Sequence, residues 1–132
     1  MSNKTSPLEA SLRRNIAVWS KREGIPVEVH CNGLVEAQIS APVQAAVKAF
    51  VAEGLSNVAT HAGAGTASVF VRSRGGLLRV LIEDDGVGFA SARTAPGGGL
   101  KRLENVAAGV GGSRLLESGK GKGTSLGLEV RI

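Results

Sequence analysis

The sequence has no tyrosine, a single tryptophan and three phenylalanines among its 132 residues. So few flat side chains leave little on which unpaired bases could stack, which removes single-strand nucleic-acid binding from the leading readings. Cysteine is nearly absent as well. Cys31 alone excludes an intrachain disulfide framework and a thiolate zinc cage, and only His30 and His61 could join it as soft ligands, so a structural metal is not expected. No apolar run approaches the roughly eighteen residues that a membrane span needs, and residues 1–7 lack the hydrophobic stretch of a signal peptide. These absences predict a soluble cytoplasmic domain with no direct membrane contact, whether or not a parent protein is membrane-anchored. The length fits one ordinary domain, placed at 8–132 behind a flexible segment 1–7.

What the chain does have is positive charge and glycine. A net charge of +5 suits a polyanion as small as a nucleotide, or simply a solvated surface. Glycine is more telling, because 12 of the 19 lie between Gly86 and Gly127, where the backbone must turn sharply or approach a ligand closely. The second half of the chain is therefore the expected site.

Periodicity supplies a coarse map. Leu8, Leu12, Ile16 and Trp19 recur at helical spacing, and Gly24-Ile25-Pro26 ends that helix. Residues 27–30 alternate like a strand, and the Asn32-Gly33 turn predicts a hairpin to a second strand at 35–39. His30 and Cys31 are then strand residues without special chemistry. Ser40-Ala41-Pro42 predicts a capped helix start and Ala62-Gly63 a stop. Along this long helix Glu53, Asn57 and His61 recur every four residues, forming a half-buried polar row beside the apolar stripe. Residues 66–74 and 77–83 read as strands joined through Gly75-Gly76, with apolar cores continuous enough to predict a covered sheet. A helix at 100–110 and strands at 113–118 and 124–132 complete a helix-covered mixed sheet.

Three loose glycine patterns can be set aside. Gly63-Ala64-Gly65 lies between a helix and a strand, the wrong order for a dinucleotide fingerprint; no helix opens directly after Gly86-Val87-Gly88; and the run from Gly119 to Thr124 lacks a Gly-Lys-Ser/Thr triplet and leads into a strand. Four further elements stand in order: Glu53-x-x-x-Asn57-x-x-x-His61-Ala62, then Ile82-Glu83-Asp84-Asp85-Gly86-Val87-Gly88-Phe89, then Gly97-Gly98-Gly99-Leu100, then Gly121-Lys122-Gly123-Thr124. Together they resemble the asparagine box and three glycine boxes of the ATP-binding catalytic domain of bacterial sensor histidine kinases, in the superfamily that also holds DNA gyrase. The resemblance covers about residues 8–132, and the run 57–64 is most similar to the subfamily paired with LuxR-like response regulators.

The resemblance implies an α+β sandwich of the Bergerat type, a mixed, mostly antiparallel sheet covered on one face by about three helices. It implies ATP and Mg2+ as ligands. Asp84 would accept from the adenine amino group, Gly86 and Gly88 would admit the purine, and Asn57 would offer an amide oxygen to magnesium. Glu53 would position or deprotonate an acceptor, making Glu53 and Asn57 the catalytic pair, and His61 would touch phosphate or cap its helix. Gly97, Gly99 and Leu100 would precede a helix whose N-terminus faces the phosphates, with Lys101 or Arg102 as counter-charge. Residues 89–98 would form a lid, and Gly123 and Thr124 would lie near the adenine end. Asp85 is expected to be a solvated loop residue.

Two departures qualify this. Asn105 stands where many relatives carry an arginine, and no helical dimerisation segment with a phosphorylatable histidine is present in the sequence. The chain is therefore expected to bind ATP but not to phosphorylate itself, to be monomeric when isolated, and to need the dimerisation domain of a parent kinase and, indirectly, a response regulator. A stand-alone anti-sigma factor serine kinase of the same fold, suggested by the short chain opening on Met1, and a degenerate binding module are the alternatives.

Overall fold

A computed structural model of the chain describes residues 6–59, 65–85, 97–118 and 123–132. The first helix, α1 (Pro7–Glu23), begins where Ser6 Oγ accepts from the Glu9 amide at 3.1 Å and Pro7 presets the first turn; Gly24 ends it at φ 71°. Pro7 is the first residue of the helix and Ser6 caps it. Leu8, Leu12, Ile16 and Trp19 are its buried stripe, as their spacing predicts.

Strand β1 (Val27–Asn32) follows, but the predicted hairpin does not. Residues 36–38 form a short 3-10 turn, and β1 pairs in parallel with β2 (Ala67–Arg74). Parallel pairing requires a long crossover, which α2 (Ala41–Asn57) supplies, while Glu36, Ala37 and Gln38 are poor strand formers. Ser40 takes the cap position of α2 in extended conformation, yet its side chain makes no capping bond. The Val58 amide at the end of α2 is shared between the Gly54 and Leu55 carbonyls, and beyond Asn57 regular α geometry gives way to a π turn at Val58–Ala59. The stop expected at Ala62-Gly63 lies outside the described residues.

The two-residue turn Gly75-Gly76, with φ of 61° and 77°, joins β2 to β3 (Leu77–Asp84). Then come α3 (Gly97–Gly109), β4 (Ser113–Ser118) and β5 (Thr124–Arg131). The sheet order is β1-β2-β3-β5-β4, antiparallel except for β1 with β2. All three helices lie on one face. Val47, Phe50, Leu55 and Leu103 from the helices meet Val69, Val80, Ile82, Leu126 and Leu128 from the strands in a single core.

The continuous apolar runs in β2 and β3 do not mean two covered faces. Burial alternates: Val69, Val71, Val80 and Ile82 are buried, whereas Phe70 and Leu81 on the other face are only half-buried. Among the described residues no helix is long and apolar enough to cross a membrane.

Candidate functional site

One end of the sheet gathers the polar residues. Ala67 at the start of β2 and Thr124 at the start of β5 both pair with Asp84 at the end of β3, so three strand termini meet there. The end of α2 is brought to the same place by close packing. A methyl on Gly54 would fall inside contact distance of Ile82 Cδ1 and 3.5 Å from its Cγ1, so the helix backbone rests directly on β3 two residues before Asp84. Glu53 and Asn57 flank this contact. Gly54→Ala should therefore cost a net of about 1 kcal/mol, overpacking against Ile82 outweighing the better helix propensity of alanine. Ile82→Val removes the obstructing Cδ1. In a double-mutant cycle measured by urea denaturation, the paired variant should be less destabilised than the sum of its parts.

Asn57 is the unusual member of the polar row. It is only 6% exposed, and among the described residues its Nδ2 is buried without a hydrogen-bond partner. Leaving a buried amide unpaired costs about 1–3 kcal/mol, so native structures rarely keep one without a purpose such as a ligand. An amide also offers both an oxygen acceptor and two N–H donors on one rotatable group. Glu53, one turn earlier, retains 20% side-chain exposure, and its Oε2 accepts from Arg102 Nη2 of α3 at 3.0 Å. That hydrogen bond and the Glu53 charge raise the pKa of the guanidinium above its ordinary value. Arg102 is thus bound to the carboxylate and bridges α2 to α3. Lys101 beside it is exposed.

At the strand end, Asp84 is half-buried and Thr124 buried. Gly123 takes φ 79°, and a Cβ there would collide with the carbonyl oxygen of Asp84 and stand 3.2 Å from its carbonyl carbon. The backbone before β5 therefore lies directly on the residue expected to read adenine. Gly97, Gly99 and Leu100 form the opening turn of α3 instead of a loop before it, so the helix starts three residues earlier than the apolar pattern suggests. His61, Gly86 and Gly88, like most of the expected lid, lie outside the described residues.

Asp85 is the exposed loop residue it was expected to be, and it also clamps the entry to β2: one carboxylate oxygen accepts from the amides of Gly65 and Thr66 at 2.8 and 3.0 Å, and the other accepts from Thr66 Oγ1 at 3.0 Å. The signal was a Gly-Thr pair entering one strand opposite a carboxylate leaving the next. These bonds, those from Thr66 foremost, lower the Asp85 pKa below 3.8. A depressed folded-state pKa means that the clamp stabilises the fold above the unfolded value of 3.8 and is lost as pH falls through the lower folded value. Asp85→Asn should lower the thermal midpoint at pH 7 and flatten its decline below about pH 4. Equal acid sensitivity in the two proteins would contradict the clamp.

The other sequence candidates carry no chemistry. His30 and Cys31 sit on opposite faces of β1, and burial together with the Glu9 charge pushes the Cys31 thiol up to about 11, so it stays protonated at neutral pH.

No protein-family model and no curated protein sequence matches this chain. Solved structures do. The histidine kinase domain of the blue-light activated histidine kinase from Erythrobacter litoralis superposes with a TM-score of 0.74 at 25% identity, over 97% of this chain and 66% of that one. A longer structure of that kinase gives 0.77 at 25% identity, over 96% and 42%. A mycobacterial sensor histidine kinase shares the fold at 20% identity with a TM-score of 0.64, over 91% of both chains. This chain thus spans less than two thirds of the two Erythrobacter structures, and its α+β architecture, three helices on a mixed five-stranded sheet, matches that of histidine kinase ATP-binding domains.

Proposed function

We propose that this chain is the ATP-binding catalytic domain of a sensor histidine kinase, of the subfamily paired with LuxR-like response regulators and with a Bergerat-type fold. It would bind Mg-ATP and present the γ-phosphate to a histidine on a separate dimerisation domain. The observation that carries this reading is the buried Asn57 side chain, whose Nδ2 has no hydrogen-bond partner among the described residues, one turn from Glu53 and at the sheet end that holds Asp84.

The residues fit the ligands. Asp84 supplies a rigid acceptor at a strand end for the exocyclic amino group of adenine, and Thr124 lines the same end. Magnesium, when bound, neutralises charge on the phosphates and is a hard cation that prefers oxygen, for which the Asn57 amide oxygen is suited. The N-terminal turn of α3 would turn its backbone amides toward phosphate. Glu53 would accept a hydrogen bond from the incoming imidazole N–H while the opposite ring nitrogen attacks phosphorus and ADP leaves. Arg102 then exchanges the Glu53 carboxylate for the more highly charged triphosphate, freeing Glu53 for this role. Catalysis of this kind is positioning and charge compensation.

Calorimetric titration with ATP, with and without magnesium, tests the binding step, and a dimerisation domain supplied in trans tests transfer. Magnesium-dependent binding followed by an acid-labile phosphohistidine on the added domain is expected. Binding without transfer to any histidine domain would count against a kinase, and no binding at all against the whole reading.

A further inference from the structure

We propose that the uncovered face of the sheet is a self-association surface on which a second copy of this chain packs, with a two-fold axis running across the strands. The inference is independent of the nucleotide reading and replaces the expectation of an isolated monomer.

The strand register sorts this face into rows. The central row runs His30, Phe70, Leu81, Gly127 and Leu115, one residue from each strand. His30 and Phe70 stack with centroids 4.9 Å apart and planes 10° from parallel, Leu115 is 48% exposed, and with its neighbours the row frames a concavity of about 350 Å3. On one side of it, toward the strand ends that hold Asp84, stand the exposed carboxylates Glu28 and Glu83. On the other side, toward the Gly75-Gly76 turn, stand exposed Arg72, Arg74 and Arg131, none of which has an acidic partner among the described residues. Arg79, also on that side, pairs with Glu129. The face therefore reads acidic, apolar, basic along the strand direction.

That order is complementary to itself in one orientation. An axis lying between two such faces along the apolar row reverses the strand direction, so each copy's basic end meets the other's acidic end while the apolar rows meet each other. An axis along the strands would instead set the arginines against their own copies. Strand spacing and rise give a footprint of roughly 600 Å2 per copy, so a pair buries about 1,200 Å2, the lower end of specific interfaces. A weak dimer is the consequence. Because the acidic ends lie beside the Asp84 end of each sheet, the two candidate sites point away from each other and both remain open.

Sedimentation of the full chain over a concentration series up to about 100 µM tests this. The mass should rise from 13.5 kDa toward twice that value. Two charge-reversed proteins sharpen the test, Glu28→Arg with Glu83→Arg, and Arg72→Glu with Arg74→Glu; all four positions are exposed, and far-UV circular dichroism checks that each protein folds. Each should stay monomeric alone, and their equimolar mixture should recover the doubled mass. A wild-type chain that remains at 13.5 kDa overturns the proposal and leaves the face to a different protein; so do reversed variants that dimerise as well as wild type, or a mixture that stays monomeric.

Discussion

If the proposed reading is right, replacing Asp84 with asparagine should lower affinity for ATP about a hundredfold while leaving the fold intact, in a calorimetric titration of the two proteins. The magnitude follows from the hydrogen bond at stake. A charge-assisted bond to a carboxylate is worth about 1.5–3 kcal/mol, and each 1.4 kcal/mol is a factor of ten in affinity. Asparagine keeps the size of the side chain at the end of β3 but removes the charge and can turn an N–H2 toward the adenine amino group, setting donor against donor. Guanine carries an oxygen at that ring position, so the same change should narrow the preference for ATP over GTP. Affinity within threefold of wild type would show that Asp84 does not read the base. Since β3 is the middle strand of the sheet and Asp84 is its last, half-buried residue, the thermal midpoint should barely move. A large drop in midpoint would mean that the loss of binding reports unfolding instead.

How much of this site was legible beforehand depended on whether a residue's role is local. Glu53 and Asn57 could be placed on one edge of a helix from their spacing alone, because helical periodicity is local. Asp84 could be placed at a strand end for the same reason. Nothing local marks β1 as the parallel partner of β2, since Asn32-Gly33 is a good hairpin turn and the long-range pairing with Ala67–Arg74 overrides it. The covered-sheet expectation failed similarly. Val69-Phe70-Val71 and Val80-Leu81-Ile82 look like strands buried on both sides, but the extra apolar residues Phe70 and Leu81 form the stripe on the uncovered face. The Arg102–Glu53 pair and the Asp85 clamp each join side chains from separate elements, 49 and 19 positions apart at their ends, and only the assembled layers bring them within bonding distance. The Gly54–Ile82 approach belongs to the same class. A glycine inside a helix reads as a mild defect until the strand beneath it is known.

Gly123→Ala should destabilise the protein by about 3 kcal/mol, the sum of a backbone term and a contact term that a second variant can separate. The backbone term is the cost of holding alanine at φ 79°, about 1–2 kcal/mol for a residue with a Cβ in the left-handed region. Gly24 isolates it. That residue ends α1 at φ 71° with nothing within 4 Å of an added Cβ, so Gly24→Ala should lose only this first amount. At Gly123 the new methyl also meets the carbonyl oxygen of Asp84, a backbone atom already fixed in the β3–β5 ladder, which cannot swing aside as a side-chain end could. Relief requires the start of β5 to lift from the end of β3, so Thr124 and Asp84 move apart and ATP binding should weaken along with stability. Urea denaturation at unchanged slope gives both free energies directly. Equal losses at the two glycines would mean that the chain yields at Gly123 without strain, and the close approach that positions Asp84 would then not be a constraint on the site.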